Sequence, residues 1–211
     1  EDIAPFYHAD QAAGKMRHSS ERTQNDLDAL ALAFSSPKRP ANAARRGSVL
    51  ESDTSRTFKR TQLGGLCSEV FGIPAWMRAA VFKKILDVNN LPDNGPTTVV
   101  NFNETKRFYE SSWHKLSANR RIFELIRTDA TLNYVTIEDL VSVVRLLVEA
   151  HPSLSFLAQH EFQELYCKTV AIRIAYGNEQ HQSRRVTWSD FDRSDVPQLM
   201  RTLDTVTDIN Q

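Results

Sequence analysis

The sequence predicts an all-α fold, a succession of helices whose connecting loops touch through brief β contacts. Three observations carry that prediction. Apolar residues recur at spacings of three and four along most of the chain, the period of a helix with one buried face. A six-residue pattern, a β-branched residue followed by a helix cap and then an acid, returns at three places. Between the stripes lie Gly, Pro, Asn and Ser at positions that stop one helix and start the next.

The totals narrow the function classes. Lys plus Arg and Asp plus Glu both number 26, so the formal charge is zero and gives no global pull toward nucleic acid or an acidic membrane. The richest apolar stretch, Leu140 to Ala150, is interrupted by Arg145 and falls short of the ~20 apolar residues of a membrane-spanning helix. No signal peptide is read at the start, and the first residue is Glu1, so an excised or processed piece is expected.

Taken in order, Leu27, Leu30, Ala31 and Phe34 make the first helical face, over residues 23–34, with Thr23 or Asn25 as candidate cap. Residues 35–60 are rich in Ser, Pro, Arg and Ala, too poor in large apolar groups to offset ordering entropy, and read as a flexible insertion. Within it, Arg45-Arg46-Gly47-Ser48 suits a kinase with an acidic groove, which makes Ser48 a candidate phosphorylation site. An incidental basic tract is the commoner origin of so short a pattern. Leu63, Leu66, Cys67, Val70 and Phe71 form the next stripe, closed by Gly72 and Pro74. A second helix fits residues 75–86, with Val81, Phe82, Ile85 and Leu86 inward. Ile122, Phe123, Leu125 and Ile126 mark another, and Leu140, Val143, Val144, Leu147 and Val148 a fourth that ends at His151-Pro152.

The repeated pattern is Val135-Thr136-Ile137-Glu138-Asp139-Leu140 and Val186-Thr187-Trp188-Ser189-Asp190-Phe191, with a looser copy at Val100-Asn101-Phe102-Asn103-Glu104-Thr105. Valine favours one extended position. The next residue caps a helix, and the acid three places on completes a capping box at the positive helix end. Helix, loop, one extended residue, capped helix is the grammar of an EF-hand, in which the extended residue is the eighth of the loop and pairs with its counterpart in a neighbouring hand. Val100 to Val135 spans 35 residues, close to the repeat of adjacent hands, whereas Val135 to Val186 spans 51 and carries extra sequence.

A calcium loop needs oxygen ligands at positions 1, 3, 5 and 12 and Gly at 6. The loop around Val135 offers Thr128, Ala130, Leu132 and Asp139, with Asn133 for the Gly. The loop around Val186 offers Glu179, His181 and Ser183, with Arg184 for the Gly. Both are expected to be empty. The loop before Val100 begins either at Asp93, with Gly95, Thr97 and Glu104 following, or at Asp87 and Asn89 with residues inserted. Asp87, Asn89, Asp93 and Glu104 are therefore the candidate metal ligands, weak ones in a loop stiffened by Pro92 and Pro96, and a solvated acidic loop is the simpler reading. Otherwise no cofactor is expected. Cys67 and Cys167 read as free buried thiols. The six histidines show no metal-binding pair, and no nucleophile elbow, phosphate loop or dinucleotide fingerprint is present, so no catalytic residue is expected.

His151-Pro152-Ser153-Leu154-Ser155-Phe156-Leu157, Glu161-Phe162 through Arg173-Ile174 and Gly65-Leu66-Cys67 through Ile85 together resemble segments of the B-double-prime family of regulatory subunits of protein phosphatase 2A, including its Tonneau/FASS branch. His151-Pro152-Ser153-Leu154-Ser155-Phe156-Leu157 resembles that family's H-P-G-L-x-F-L. Glu161-Phe162 through Tyr166, Thr169-Val170 and Arg173-Ile174 resembles its E-F-x-x-x-Y, T-V, R-I helix. Gly65-Leu66-Cys67, Ile73-Pro74 and Val81-Phe82-Lys83-Lys84-Ile85 is similar to the helix pair before its first EF-hand, Pro5-Phe6-Tyr7 to the end of its opening, and Asp208-Ile209-Asn210 to the segment before its second hand pair. The insertion at 35–60 and the long loop after Ile85 depart from the family.

The resemblance implies a degenerate EF-hand pair plus flanking helices. The domains expected are 1–34, an N-terminal helical segment; 35–60, the insertion; 61–150, a helix pair and the first EF-hand pair; and 151–211, a connecting helix and half of a second pair. It implies a non-catalytic targeting subunit that binds the phosphatase's HEAT-repeat scaffold subunit and catalytic subunit and directs them to phosphoprotein substrates, with no nucleic-acid or membrane partner. It implies a cytoplasmic location at cytoskeletal, centrosomal or basal-body structures. A stand-alone calcium sensor or a cytoskeletal interaction module is the alternative.

Overall fold

Each repeated pattern places its residues as its chemistry requires. Val100, Val135 and Val186 are extended and buried. Asn101, Thr136 and Thr187 follow as helix caps whose side chains accept from the N–H groups of Glu104, Asp139 and Asp190. The computed structural model describes residues 9–35, 56–157, 160–177 and 185–204.

The described residues form four helix–strand–helix units. The first is α1 (Ala9–Phe34), β1 (Phe58–Lys59) and α2 (Gly64–Glu69). The second is α3 (Arg78–Asn89), β2 (Val99–Val100) and α4 (Phe102–Ser111); the third is α5 (Ala118–Ile126), β3 (Tyr134–Thr136) and α6 (Ile137–Ala150). The fourth is α7 (His160–Gly177), β4 (Arg185–Thr187) and α8 (Trp188–Arg193), after which α9 (Val196–Thr202) follows. Strand pairing joins the units two by two. Phe58 lies opposite Val100 in the antiparallel β1–β2 pair, and Val135 opposite Val186 in β3–β4. The mostly helical fold with short β contacts is as the sequence predicts.

The pairing itself corrects the expectation. Val100 does not pair with Val135, and the hand at Val186 is not partnerless. The reason is a further unit with a weaker signature. Phe58-Lys59-Arg60-Thr61-Gln62-Leu63 repeats the pattern with Gln for the acid, and the Gln62 Oε1 accepts from the Lys59 N–H at 2.9 Å, as the acids do elsewhere. Counting it makes Val100 the second hand and Val135 the third. The extra sequence between Val135 and Val186 lies in longer elements, α6 and α7 having 14 and 18 residues where α4 and α5 have 10 and 9, and in the longer turn Pro152–Leu157 between them; α7 packs on α6 and returns the chain beside β3.

Two further boundaries move. The first helix starts at Ala9 and runs through Thr23 and Asn25 without a break, because Asp26 accepts from the buried Tyr109 hydroxyl of α4 at 2.5 Å and Gln24 bonds Asp28 one turn on. Residues 56–60, placed in the insertion, belong to β1 and the turn after it; Phe58 is buried, its ring centroid 4.6 Å from that of Phe34. Residues 36–55, with Ser48, lie outside the described residues, as do 178–184.

One large apolar cluster runs through both pairs, from Leu30 and Phe34 of α1 to Phe191 and Met200 of α8 and α9. A smaller one joins Val144 and Val148 of α6 to Leu154, Leu157 and Cys167. Gly72 takes a left-handed backbone, φ 61°, and lets the Ile73 N–H reach the Cys67 carbonyl at 3.0 Å, the helix stop expected there. Arg121 is buried and ties down two chain reversals, its Nη1 donating to the Phe71 carbonyl at 2.8 Å and its Nε to that of Trp113 at 3.1 Å. The two pairs are clamped where α9 meets the turn before α3. Asp204 accepts from the Ala75 N–H at 2.6 Å, and the Trp76 indole donates to the Met200 carbonyl at 3.1 Å. Among the described residues no helix is long and apolar enough to cross a membrane.

Candidate functional site

The loop that leads into Val135 shows how a hand can be closed without an ion. Asp139, at its last position, turns its carboxylate inward and is buried. It accepts from the Thr128 N–H at 3.2 Å, the Thr136 N–H at 3.0 Å and the Thr136 hydroxyl at 2.9 Å. Burial alone would raise its pKa, but these bonds to Thr128 and Thr136 more than offset that and hold it below the ordinary carboxylate range. At the loop's other side the Arg127 guanidinium points into the turn and donates to the carbonyls of Leu132 and, at 3.2 Å, Ala130. Its second arm pairs with Glu124, which Arg120 also contacts at 2.7 Å. The positive charge that gathers the loop's oxygens is thus a side chain of the protein. Asp129 closes its own turn on the Thr131 N–H and hydroxyl, which lowers its pKa.

The loop before Val100 repeats this with different residues. Asp93 accepts from the Gly95 N–H at 3.0 Å and pairs with Arg60 of the first hand at 2.5 Å, both of which pull its pKa down. Glu104 commits a carboxylate oxygen to the Asn101 N–H at 2.8 Å. Asn89 bridges two helices, its amide donating to the carbonyls of Ile85 at 2.7 Å and Glu104 at 3.0 Å. Asp87 is exposed on α3. Of the four candidate ligands of the sequence, Asp93 and Glu104 have carboxylates committed to other partners, Asn89 donates to backbone carbonyls, and Asp87 is exposed. Among the described residues no group of three or more His, Cys, Asp or Glu is gathered as a metal would need. These residues do not fit a resident calcium ion. The loop positions Glu179, His181, Ser183 and Arg184 lie outside the described residues.

The two cysteines are free and buried, as expected, and burial pushes the Cys67 thiol up to about 12, far from a reactive thiolate. His151 is the C-cap of α6, its N–H on the Leu147 carbonyl at 2.9 Å.

Sequence reasoning missed two groups. Arg60, inside the first hand's loop, and Arg127, just before the third hand's loop, lie at positions that are not scanned for acids, and only the geometry shows Arg60 pairing with Asp93 and Arg127 donating to loop carbonyls. The second is the outer face of α7. Cys167, Ala171 and Ala175 bury its inner side, while Phe162, Leu165, Ile172 and Tyr176 face out. An apolar face on each side blurs the periodicity that reveals an amphipathic helix. The signal was still present, because the four residues keep heptad spacing.

A family model described as EF-hand domain matches residues 117–206, from the start of α5 to beyond α9. Over 80 residues the chain is 39% identical to the human B''-beta regulatory subunit of serine/threonine-protein phosphatase 2A, a match that covers 37% of this chain and 14% of that protein. Over 145 residues it is 26% identical to the probable B''delta regulatory subunit of serine/threonine protein phosphatase 2A from Arabidopsis thaliana, covering 68% of this chain and 26% of the relative. The Arabidopsis B''epsilon is likewise 26% identical, over 148 residues. The chain spans between about a seventh and a quarter of the length of these relatives.

Proposed function

We propose, on the kinship of this EF-hand chain with the B-double-prime regulatory subunits of protein phosphatase 2A, that it is the paired-hand portion of a non-catalytic targeting subunit. In this reading it holds the HEAT-repeat scaffold that carries the catalytic subunit and brings phosphoprotein substrates to it, in the cytoplasm at cytoskeletal or centrosomal structures. The observation that carries the reading is the closure of the hands by Arg60–Asp93 and by Arg127 and Asp139. Hands locked by their own side chains offer permanent surfaces for a partner rather than an ion-driven switch. The stand-alone calcium sensor is disfavoured by the same bonds.

The experiment is capture of the purified scaffold and catalytic proteins on the immobilised chain, with and without a calcium chelator. Retention of both proteins, insensitive to the chelator, is expected. Failure to retain the scaffold in either condition defeats the adaptor reading. Micromolar calcium binding by titration calorimetry would favour the sensor instead.

A further inference from the structure

Where the two hand pairs meet, a cavity of about 240 Å³ is walled by α3 of the first pair and by the end of α5 and the middle of α6 of the second. Its most buried lining residues, Leu125, Ile126 and Val143, are apolar. The rest of the lining carries four cations, Arg60, Lys83, Lys84 and Arg127, against two carboxylates, Asp87 and Asp93. Arg60 and Asp93 are spent on each other at 2.5 Å. Arg127 pairs with Glu124, which does not line the cavity and is already shared with Arg120 at 2.7 Å. Among the described residues, Lys83, Lys84 and Asp87 make no ion pair. The Lys84 ammonium is half-buried and donates only to the Arg127 carbonyl, at 3.3 Å. Burial pulls its pKa down, and the Asp87 charge one turn along α3 offsets this only in part. An ammonium withdrawn from water with no counter-ion beside it is costly, and an anion entering the cavity relieves that cost.

We propose that this cavity receives a phosphorylated serine or threonine side chain of a partner peptide, with the phosphate on Lys83 and Lys84 and the neighbouring residue of the peptide on the apolar lining. Charge selects the ligand. The lining holds an excess of two cations over carboxylates, which matches the charge of about −1.5 to −2 on a phosphate monoester better than the single charge of a carboxylate. Lysine ammonium groups bind phosphate as point charges and need no fixed fork. Size narrows the choice further. The cavity is smaller than the roughly 300–1,000 Å³ of pockets that enclose a whole small molecule, so it suits one group presented by a larger chain. Nucleic acid is disfavoured by a formal net charge of zero, which supplies no extended basic surface to follow a phosphate backbone. The inference stands on the cavity alone and does not depend on the phosphatase reading.

Titration of the isotope-labelled chain with N-acetyl-phosphoserine-leucine amide, read by amide chemical shifts and by calorimetry, tests it. Shifts are expected in residues 79–87, 125–128 and 142–146, and none with the unphosphorylated peptide at the same concentration. Lys83→Gln, at an exposed position, weakens binding about five- to ten-fold, and Lys84→Met, which keeps the apolar stem, weakens it at least as much. Asp87→Asn removes the opposing carboxylate and tightens binding about two- to five-fold, a gain that no loss of folding can imitate. Equal binding of the unphosphorylated peptide overturns the proposal, as do shifts confined to other residues or an affinity indifferent to all three substitutions. A glutamate-leucine peptide that binds as tightly overturns the choice of a dianion. Inorganic phosphate that binds as tightly as the phosphopeptide makes the cavity a site for an adventitious ion only, and overturns the assignment to a peptide side chain.

Discussion

Arg127 and Asp139 do jointly what an ion does in a working hand. The guanidinium collects carbonyl oxygens and the carboxylate collects N–H groups, so the loop's polar backbone is satisfied from within. Arg127→Ala should lower unfolding free energy by about 1–3 kcal/mol, the range for removing a charged partner from half-buried carbonyls, as measured by urea denaturation. Asp139 contributes to the acid limb of stability. Its folded pKa lies below the unfolded value, so its contribution is complete above about pH 4 and is lost as pH falls through the folded pKa. Asp139→Asn should therefore flatten the fall of the urea midpoint as pH drops below about 4, relative to the parent. Parallel curves for the two proteins would show that the carboxylate contributes nothing there. None of this was legible in the sequence beyond the poverty of ligand oxygens at the loop's coordinating positions. A scan for ligands scores what a position lacks, whereas a guanidinium reaching back from position zero is a matter of rotamer and fold.

The unit of this molecule is the helix–strand–helix element, and its signature is written in short-range chemistry. Caps, capping boxes and the extended valine each depend on neighbours within four residues, which is why Val100, Val135 and Val186 and their caps could be placed from sequence. Partner choice depends on long-range return of the chain and could not. Spacing alone favoured Val100 with Val135, and the weak Lys59–Gln62 copy hid the hand that shifts the count. The register predicts a close backbone contact between Val135 and Val186 and none between Val100 and Val135. Amide-to-amide and amide-to-alpha nuclear Overhauser effects on labelled protein check it directly, since opposed strand residues have Cα atoms only ~4.5–5.5 Å apart. Cross-peaks joining Val100 to Val135 would reinstate the other pairing.

At the scale of the whole molecule the two hand pairs share one core and one clamp. Trp76 is buried, with its indole on the Met200 carbonyl, and Asp204 caps the turn that begins at Ala75 and contains Trp76. A clamp between residues some 130 apart is invisible to any local pattern, and composition announced only that such a core was possible. Trp76→Ala should cost about 3–5 kcal/mol and, because it empties the joint rather than either pair, should split thermal unfolding into two calorimetric transitions. A single transition merely shifted downward would mean that the pairs stay coupled through the rest of the core. The first hand is fastened where the Phe34 and Phe58 rings meet edge to face, 4.6 Å between centroids. Such a pair is worth roughly 0.5–1.5 kcal/mol beyond the area it buries. A polar substitution at either ring would therefore loosen the entry of the first hand from the end of α1 while the Val135–Val186 contact of the other pair stays in place.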